Sequence, residues 1–172
     1  MSEPPSTHDY ASPPFNHPKA DLILLSCDGV DFRVSKFILG VSSDFFATMF
    51  EAGQAPGDEL RDGCPIVPVQ EDSGTLNGPL RIIYPTITPD LDKHPNRDAI
   101  LEAALKYDMK EANRVSTSSL RSLAPKTPLR IWIVAVRNRL EPETRVTASE
   151  LLRQRISVLD EDVTEMGQIN AG

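Results

Sequence analysis

The pattern of apolar and polar positions changes texture several times along the chain. From Met1 to Lys19 it carries Pro4, Pro5, Pro13, Pro14 and Pro18 among serines, with few aliphatic residues. Such a stretch buries too little apolar surface to offset its ordering entropy, and residues 1–18 read as a disordered tail. At Ala20 the texture shifts. Asp21-Leu22-Ile23-Leu24-Leu25-Ser26 is a short apolar run, Cys27-Asp28-Gly29 supplies turn chemistry, and Val30-Asp31-Phe32-Arg33-Val34 alternates, which together predict a β-hairpin. In that hairpin Asp28 is a turn residue and Asp31 an exposed strand residue.

Helical spacing takes over next. Ser35 is placed to cap a short helix over Lys36-Phe37-Ile38-Leu39, ended by Gly40, and Ser42 or Ser43 to cap a second over Asp44 to Phe50. Glu51 to Gly63 reads as an exposed loop. Pro65-Ile66-Val67-Pro68-Val69 is a third strand, which its two prolines confine to an edge or to strand ends. Leu76, Leu80, Ile83 and Tyr84 are helically spaced, but an interior proline costs about 3 kcal/mol, so the helix should start or kink at Pro79. After a proline-rich loop from Pro85 to Asn96, Asp98 caps a strongly patterned helix through Met109. A weaker one follows from Lys110 to about Leu120, diluted by the Ser/Thr run at 116–119.

Thr127-Pro128 opens another helix with a stripe of Leu129, Trp132, Ile133, Val136 and Leu140, and Ala148, Leu151, Leu152, Ile156 and Leu159 make the next stripe. Residues 121–160 therefore read as a helical extension and 161–172 as a polar, frayed tail.

Composition narrows the function classes. At 172 residues and 40% apolar content the chain has room for one compact domain with loose ends. Eighteen basic against 25 acidic residues give a net charge of −7, with no Lys/Arg run, so the footprint of a nucleic-acid-binding protein is missing. No apolar stretch approaches the ~20 residues of a membrane span, and the N-terminus has no signal-like apolar core, so an intracellular protein in cytoplasm or nucleus is expected. Cys27 and Cys64 are far from any CxxC spacing and read as reduced, buried thiols.

Chemistry is hard to find. Gly40-Val41-Ser42-Ser43-Asp44 lacks the second glycine of a nucleophile elbow, and no phosphate-cradling glycine motif occurs. His8 and His17 fall in the tail and His94 in a loop, without the fixed partner that a base or metal ligand needs. Asp28 and Asp31 superficially suggest a calcium loop but lack its later acidic ligand. No catalytic residue, metal site or cofactor is expected.

What remains is the order Ala20-Asp21-Leu22-Ile23-Leu24, Phe32-Arg33-Val34-Ser35-Lys36-Phe37-Ile38-Leu39 and Ser42-Ser43-Asp44-Phe45-Phe46-Ala47-Thr48-Met49-Phe50. With Leu80 to Pro85 and Ile100 to Met109, it closely resembles a BTB/POZ domain over residues 19–120, in wording most like fungal BTB proteins. The resemblance implies an α+β fold in which a small mixed sheet of about three strands caps a cluster of short helices. It implies binding of other proteins and no catalysis.

Two surfaces are implied residue by residue. Asp21 and Lys36 match the acidic and basic residues that form a charged pocket at the interface of dimeric BTB domains, which points to a homodimer or a BTB heterodimer. An intramolecular ion pair or cap interaction is the competing reading. Met49, Phe50 and Glu51, with the loop after them, match the region that helps cullin adaptors of this family contact their scaffold, so an adaptor role in a cullin-based ubiquitin ligase is the alternative. Ser35 stands where the family usually has histidine, and Gly78-Pro79 interrupts a helix that relatives keep continuous.

Overall fold

The structure, a computed structural model, describes residues 9–53 and 59–154. The described residues fall into two compact units, one made of residues 9–53, 59–89 and 99–113, the other of residues 90–98 and 114–154.

The first unit is built on the hairpin. Strands β2 (Leu22–Leu25) and β3 (Val30–Val34) pair antiparallel, with Leu24 opposite Phe32. Ser26 closes the turn by donating its hydroxyl to the Val30 carbonyl and accepting the Val30 N–H, and Gly29 supplies a φ of 84°. β5 (Cys64–Pro68) runs parallel to β2, with Ile66 beside Ile23. Two-residue strands β1 (Asp9–Tyr10) and β4 (Leu60–Arg61) extend the sheet to five, in the order β1-β3-β2-β5-β4.

Two expectations are corrected here. β5 is an inner strand, yet its prolines cost little. Val69 donates inward to Leu25 and Ile66 donates outward to Glu59, so the donor that Pro68 lacks falls on the outward side, beyond the reach of β4, and the inward donor that Pro65 lacks falls one residue before the pairing with β2 begins at Ile66. Asp31 is completely buried, with its carboxylate held by both of its oxygens on Arg61 at 2.6 Å.

The predicted disorder of residues 1–18 also fails over residues 9–18. Ala11 N–H donates to the Asp31 carbonyl and Arg33 N–H to the Phe15 carbonyl. Phe15 is fully buried, its ring 5.7 Å from Phe32 and 5.2 Å edge-on from Tyr84, with the Arg81 guanidinium above it. Proline-rich composition concealed one aromatic side chain of the kind that buries about 150–250 Å² and so holds an arm in place.

Helices α1 (Lys36–Ser42) and α2 (Asp44–Glu51) follow the hairpin directly. Gly40 does not end α1 but lies within it, where a Cβ would make only an ordinary contact with Phe50 at 3.8 Å. α3 (Ser73–Ile83) runs unbroken through Pro79 and is capped by the Asp72 carboxylate on the Thr75 N–H. Gly78, Pro79 and Leu80 are all buried, and Gly78 is so close to Ile100 of α4 (Arg97–Lys106) that a Cβ would lie 2.4 Å from its Cδ1. Close burial along this segment offsets the hydrogen bond that proline forfeits.

In the second unit, α5 (Lys110–Leu123), which begins in the first, is a full fourteen-residue helix despite its Ser/Thr run. Ser116 and Ser119 face inward, and Ser119 and Ser122, one turn apart, donate to the two oxygens of Asp92 at 2.6 and 2.9 Å. α6 (Pro128–Arg137) and α7 (Glu141–Gln154) pack through Leu129, Ile133 and Leu151, with Trp132 against them. Buried Glu143 pairs with Arg121 at 2.6 Å. Leu152, expected on the buried stripe, is 81% exposed, and Ile156 and Leu159 lie outside the described residues, as does the tail 161–172. No helix of the described residues is long and apolar enough to cross a membrane.

Candidate functional site

The surface around the head of α1 gathers both groups of residues singled out from the sequence. Ser35 makes no side-chain cap there. Asp21, just ahead of β2, does so instead: its Oδ1 accepts the Lys36 backbone N–H at 2.7 Å. The Tyr84 hydroxyl accepts the Ser35 N–H, also at 2.7 Å. A carboxylate at this end complements the positive helix N-terminus, so Asp21 and Lys36 are linked through the backbone. Burial pushes the Tyr84 phenol above its ordinary pKa, which keeps it neutral in this role.

From that head α1 presents Phe37 and Val41, one helical turn apart and 77% and 68% exposed. Two large apolar side chains on one helical face make a contiguous patch where most exposed apolar residues are scattered. The sequence did not show this face, because the helix read from it stops at Gly40 and leaves Val41 outside, whereas α1 continues to Ser42.

On its other flank the site opens into a cavity of about 290 Å³. Met49 and Phe50 of α2 and Pro65, Ile66 and Val67 of β5 form apolar walls, and Lys36 is the charged residue of the lining among the described residues. The Lys36 ammonium has no carboxylate within ion-pair distance among the described residues, because the Asp21 contact is to the backbone. Glu51 is exposed at the end of α2 and outside this lining.

A ring stack fixes the cavity wall. Phe46 lies stacked against Phe50 at 6.1 Å and against Tyr107 at 5.3 Å, and Phe45 meets Phe46 edge-on. Ser43 starts α2 by accepting the Phe46 N–H and donating to the Tyr107 carbonyl. Tyr107 is tied in turn to Glu71, which also receives Lys106 at 2.8 Å. Burial alone would raise the Glu71 pKa, but the hydrogen bonds from Lys106 and Tyr107 outweigh it and hold the carboxyl below the usual range. Burial, reinforced by the bond to Glu71, pushes the Tyr107 phenol up to about 12.

A second polar cluster crosses the sheet. Asp62, in the turn after β4, receives Arg33 of β3 at 2.9 Å and the Tyr10 hydroxyl of β1 at 3.0 Å, beside the Asp31–Arg61 pair. Sequence reasoning missed this cluster, since its partners are 29 to 52 residues apart.

The remaining chemistry is sparse. His17 and His94 each accept a backbone N–H two residues on through Nδ1. Cys64 is buried and donates to the Ala20 carbonyl, whereas Cys27, also expected to be buried, is exposed in the hairpin turn. No group of His, Cys, Asp and Glu among the described residues is arranged to hold a metal ion.

This architecture of hairpin, paired short helices and parallel inner strand has a counterpart among known families. No curated protein matches the chain. Comparison with protein-family models does match it, to the BTB/POZ domain over residues 15–123. That span takes in the whole hairpin, α1 to α5 and the Phe15 anchor that precedes them, and the chain belongs to the BTB/POZ family.

Proposed function

We propose that this BTB/POZ domain, a protein-interaction module by family, acts by self-association through the face of α1, forming homodimers or pairing with a second BTB chain. The observation that carries the reading is the exposure of Phe37 and Val41 on one face, beside the Asp21-capped helix head. Removing such a patch from water favours association by roughly 25 cal/mol per Å² before the costs of ordering are met. Asp21 supports the reading indirectly, by fixing the helix that displays the patch.

Light scattering coupled to size exclusion on the full chain tests this. A dimer that Phe37→Glu with Val41→Glu converts to monomer is expected. A folded monomer at every concentration would refute it. Asp21→Asn keeps an oxygen acceptor for the helix head while removing the charge, so a dimer weakened by this change would add the charged pocket to the interface.

The cullin-adaptor reading rests on a different observation: Met49 and Phe50 line an open cavity at the end of α2, next to exposed Glu51. Its test is stoichiometric capture of a purified cullin N-terminal domain by the full chain, lost on Met49→Lys.

A further inference from the structure

The cavity between α2 and β5 has a chemistry that specifies its occupant. Its walls are apolar, and Met49 contributes a flexible thioether chain that adapts to different shapes. At about 290 Å³ it falls just under the ~300–1,000 Å³ usual for small-molecule and cofactor pockets, and suits one or two apolar side chains of a protein segment. The rim carries a cation: Lys36 is the charged lining residue and has no ion-pair partner among the described residues, although the chain as a whole is acidic at −7. The sheet does not offer an alternative mode, because Pro68 removes a donor from the outward side of β5 and Glu59 already occupies the Ile66 N–H.

We infer that this cavity binds a partner segment in which an apolar residue, inserted between Met49, Phe50 and Val67, is followed or preceded by a carboxylate that pairs with Lys36. The inference deepens the interaction-module reading and rests on it, but it concerns a surface distinct from Phe37 and Val41. An apolar anchor supplies affinity from area removed from water, and the charge at its edge selects the sequence around the anchor. A cation held beside apolar walls attracts a carboxylate more strongly than one in open water, and repels a basic flank.

The four methionines provide a local probe, since Met49 lines the cavity and Met109 is buried elsewhere in the same unit. The full chain, carbon-13-labelled at the methionine methyls, is titrated with acetyl-Asp-Leu-Leu-Asp-amide, with its Lys-Leu-Leu-Lys counterpart and with Asp-Ser-Ser-Asp. The acidic apolar peptide should shift the Met49 methyl saturably, about tenfold more tightly than the basic one, and the serine peptide should not shift it. Lys36→Glu should invert the preference between the first two, with an unchanged Met109 methyl confirming the fold. No saturable shift of Met49, or a preference that Lys36→Glu leaves unchanged, overturns the inference.

Setting the titration beside the association state of the unsubstituted chain separates the two readings. Peptide binding by a wild type that stays monomeric leaves the cavity standing and removes the α1 dimer. A wild-type dimer that Phe37→Glu with Val41→Glu dissociates, with no Met49 shift in either chain, does the reverse.

Discussion

Asp31 and Arg61 illustrate how far a single pairing can carry the sheet. Asp31 has no exposed surface, so an Arg61→Ala change leaves a buried carboxylate without its guanidinium and should cost about 3–5 kcal/mol, read as a loss in denaturant midpoint. Adding Asp31→Asn should recover part of that loss, because the charge is then gone; a double variant no more stable than Arg61→Ala alone would contradict this account. Titration of Tyr107 gives a second residue-scale test. Its phenol stays protonated in the fold up to about 12, while the unfolded chain loses the proton near 10. The native state therefore holds more protons between those values, and the contribution of Tyr107 to stability should be level below pH 10 and fall as pH rises above it. Glu71 works at the other end: its depressed pKa contributes stability at neutral pH that is lost as pH drops through the carboxylate range. Thermal midpoints of wild type and Tyr107→Phe across pH 3 to 11 test both signs, with the alkaline decline expected to shrink in the variant. None of these pairings was legible in the sequence, where Asp31 alternates as a surface residue would and Arg61 sits in an apparent loop.

Elements were easier to read than their ends. The hairpin, α2, α4 and α6 follow from apolar spacing, and the hairpin turn and the Ser43 cap of α2 hold as read, whereas Asp98, read as the cap of α4, lies inside its first turn and Thr127 makes no side-chain cap bond to α6. Misreadings share one cause: a local penalty was counted while the burial that offsets it was invisible. Pro79 within α3, the serines of α5 and the prolines before Phe15 each look unfavourable locally, and each lies where the chain is packed or hydrogen-bonded by distant residues. Gly78 makes this testable. A Cβ placed 2.4 Å from Ile100 Cδ1 forces that side chain to move, so Gly78→Ala should destabilise the protein by about 1–3 kcal/mol despite alanine's better helix propensity. Pairing it with Ile100→Val, which removes that Cδ1 atom, should restore part of the loss in the same chemical denaturation experiment. Helix α1 shows the same limit for the site: Ser35 carries the cap signal, but Asp21 and Tyr84, brought in from elsewhere in the chain, hold the helix head.

At the scale of the whole molecule, the BTB/POZ unit places an apolar helix face and an adjoining cavity with a lysine rim on its surface. The family resemblance pointed to Asp21, Lys36, Met49 and Phe50; the fold adds Phe37, Val41 and the β5 wall, which periodicity had no means of distinguishing from core. Sedimentation velocity of the full chain over a hundredfold range of concentration, with and without Phe37→Glu and Val41→Glu, tests the central claim most directly. The account predicts a dimer for the wild type and a folded monomer for the double variant. A wild type that sediments as a monomer throughout, or a dimer indifferent to both changes, would contradict it.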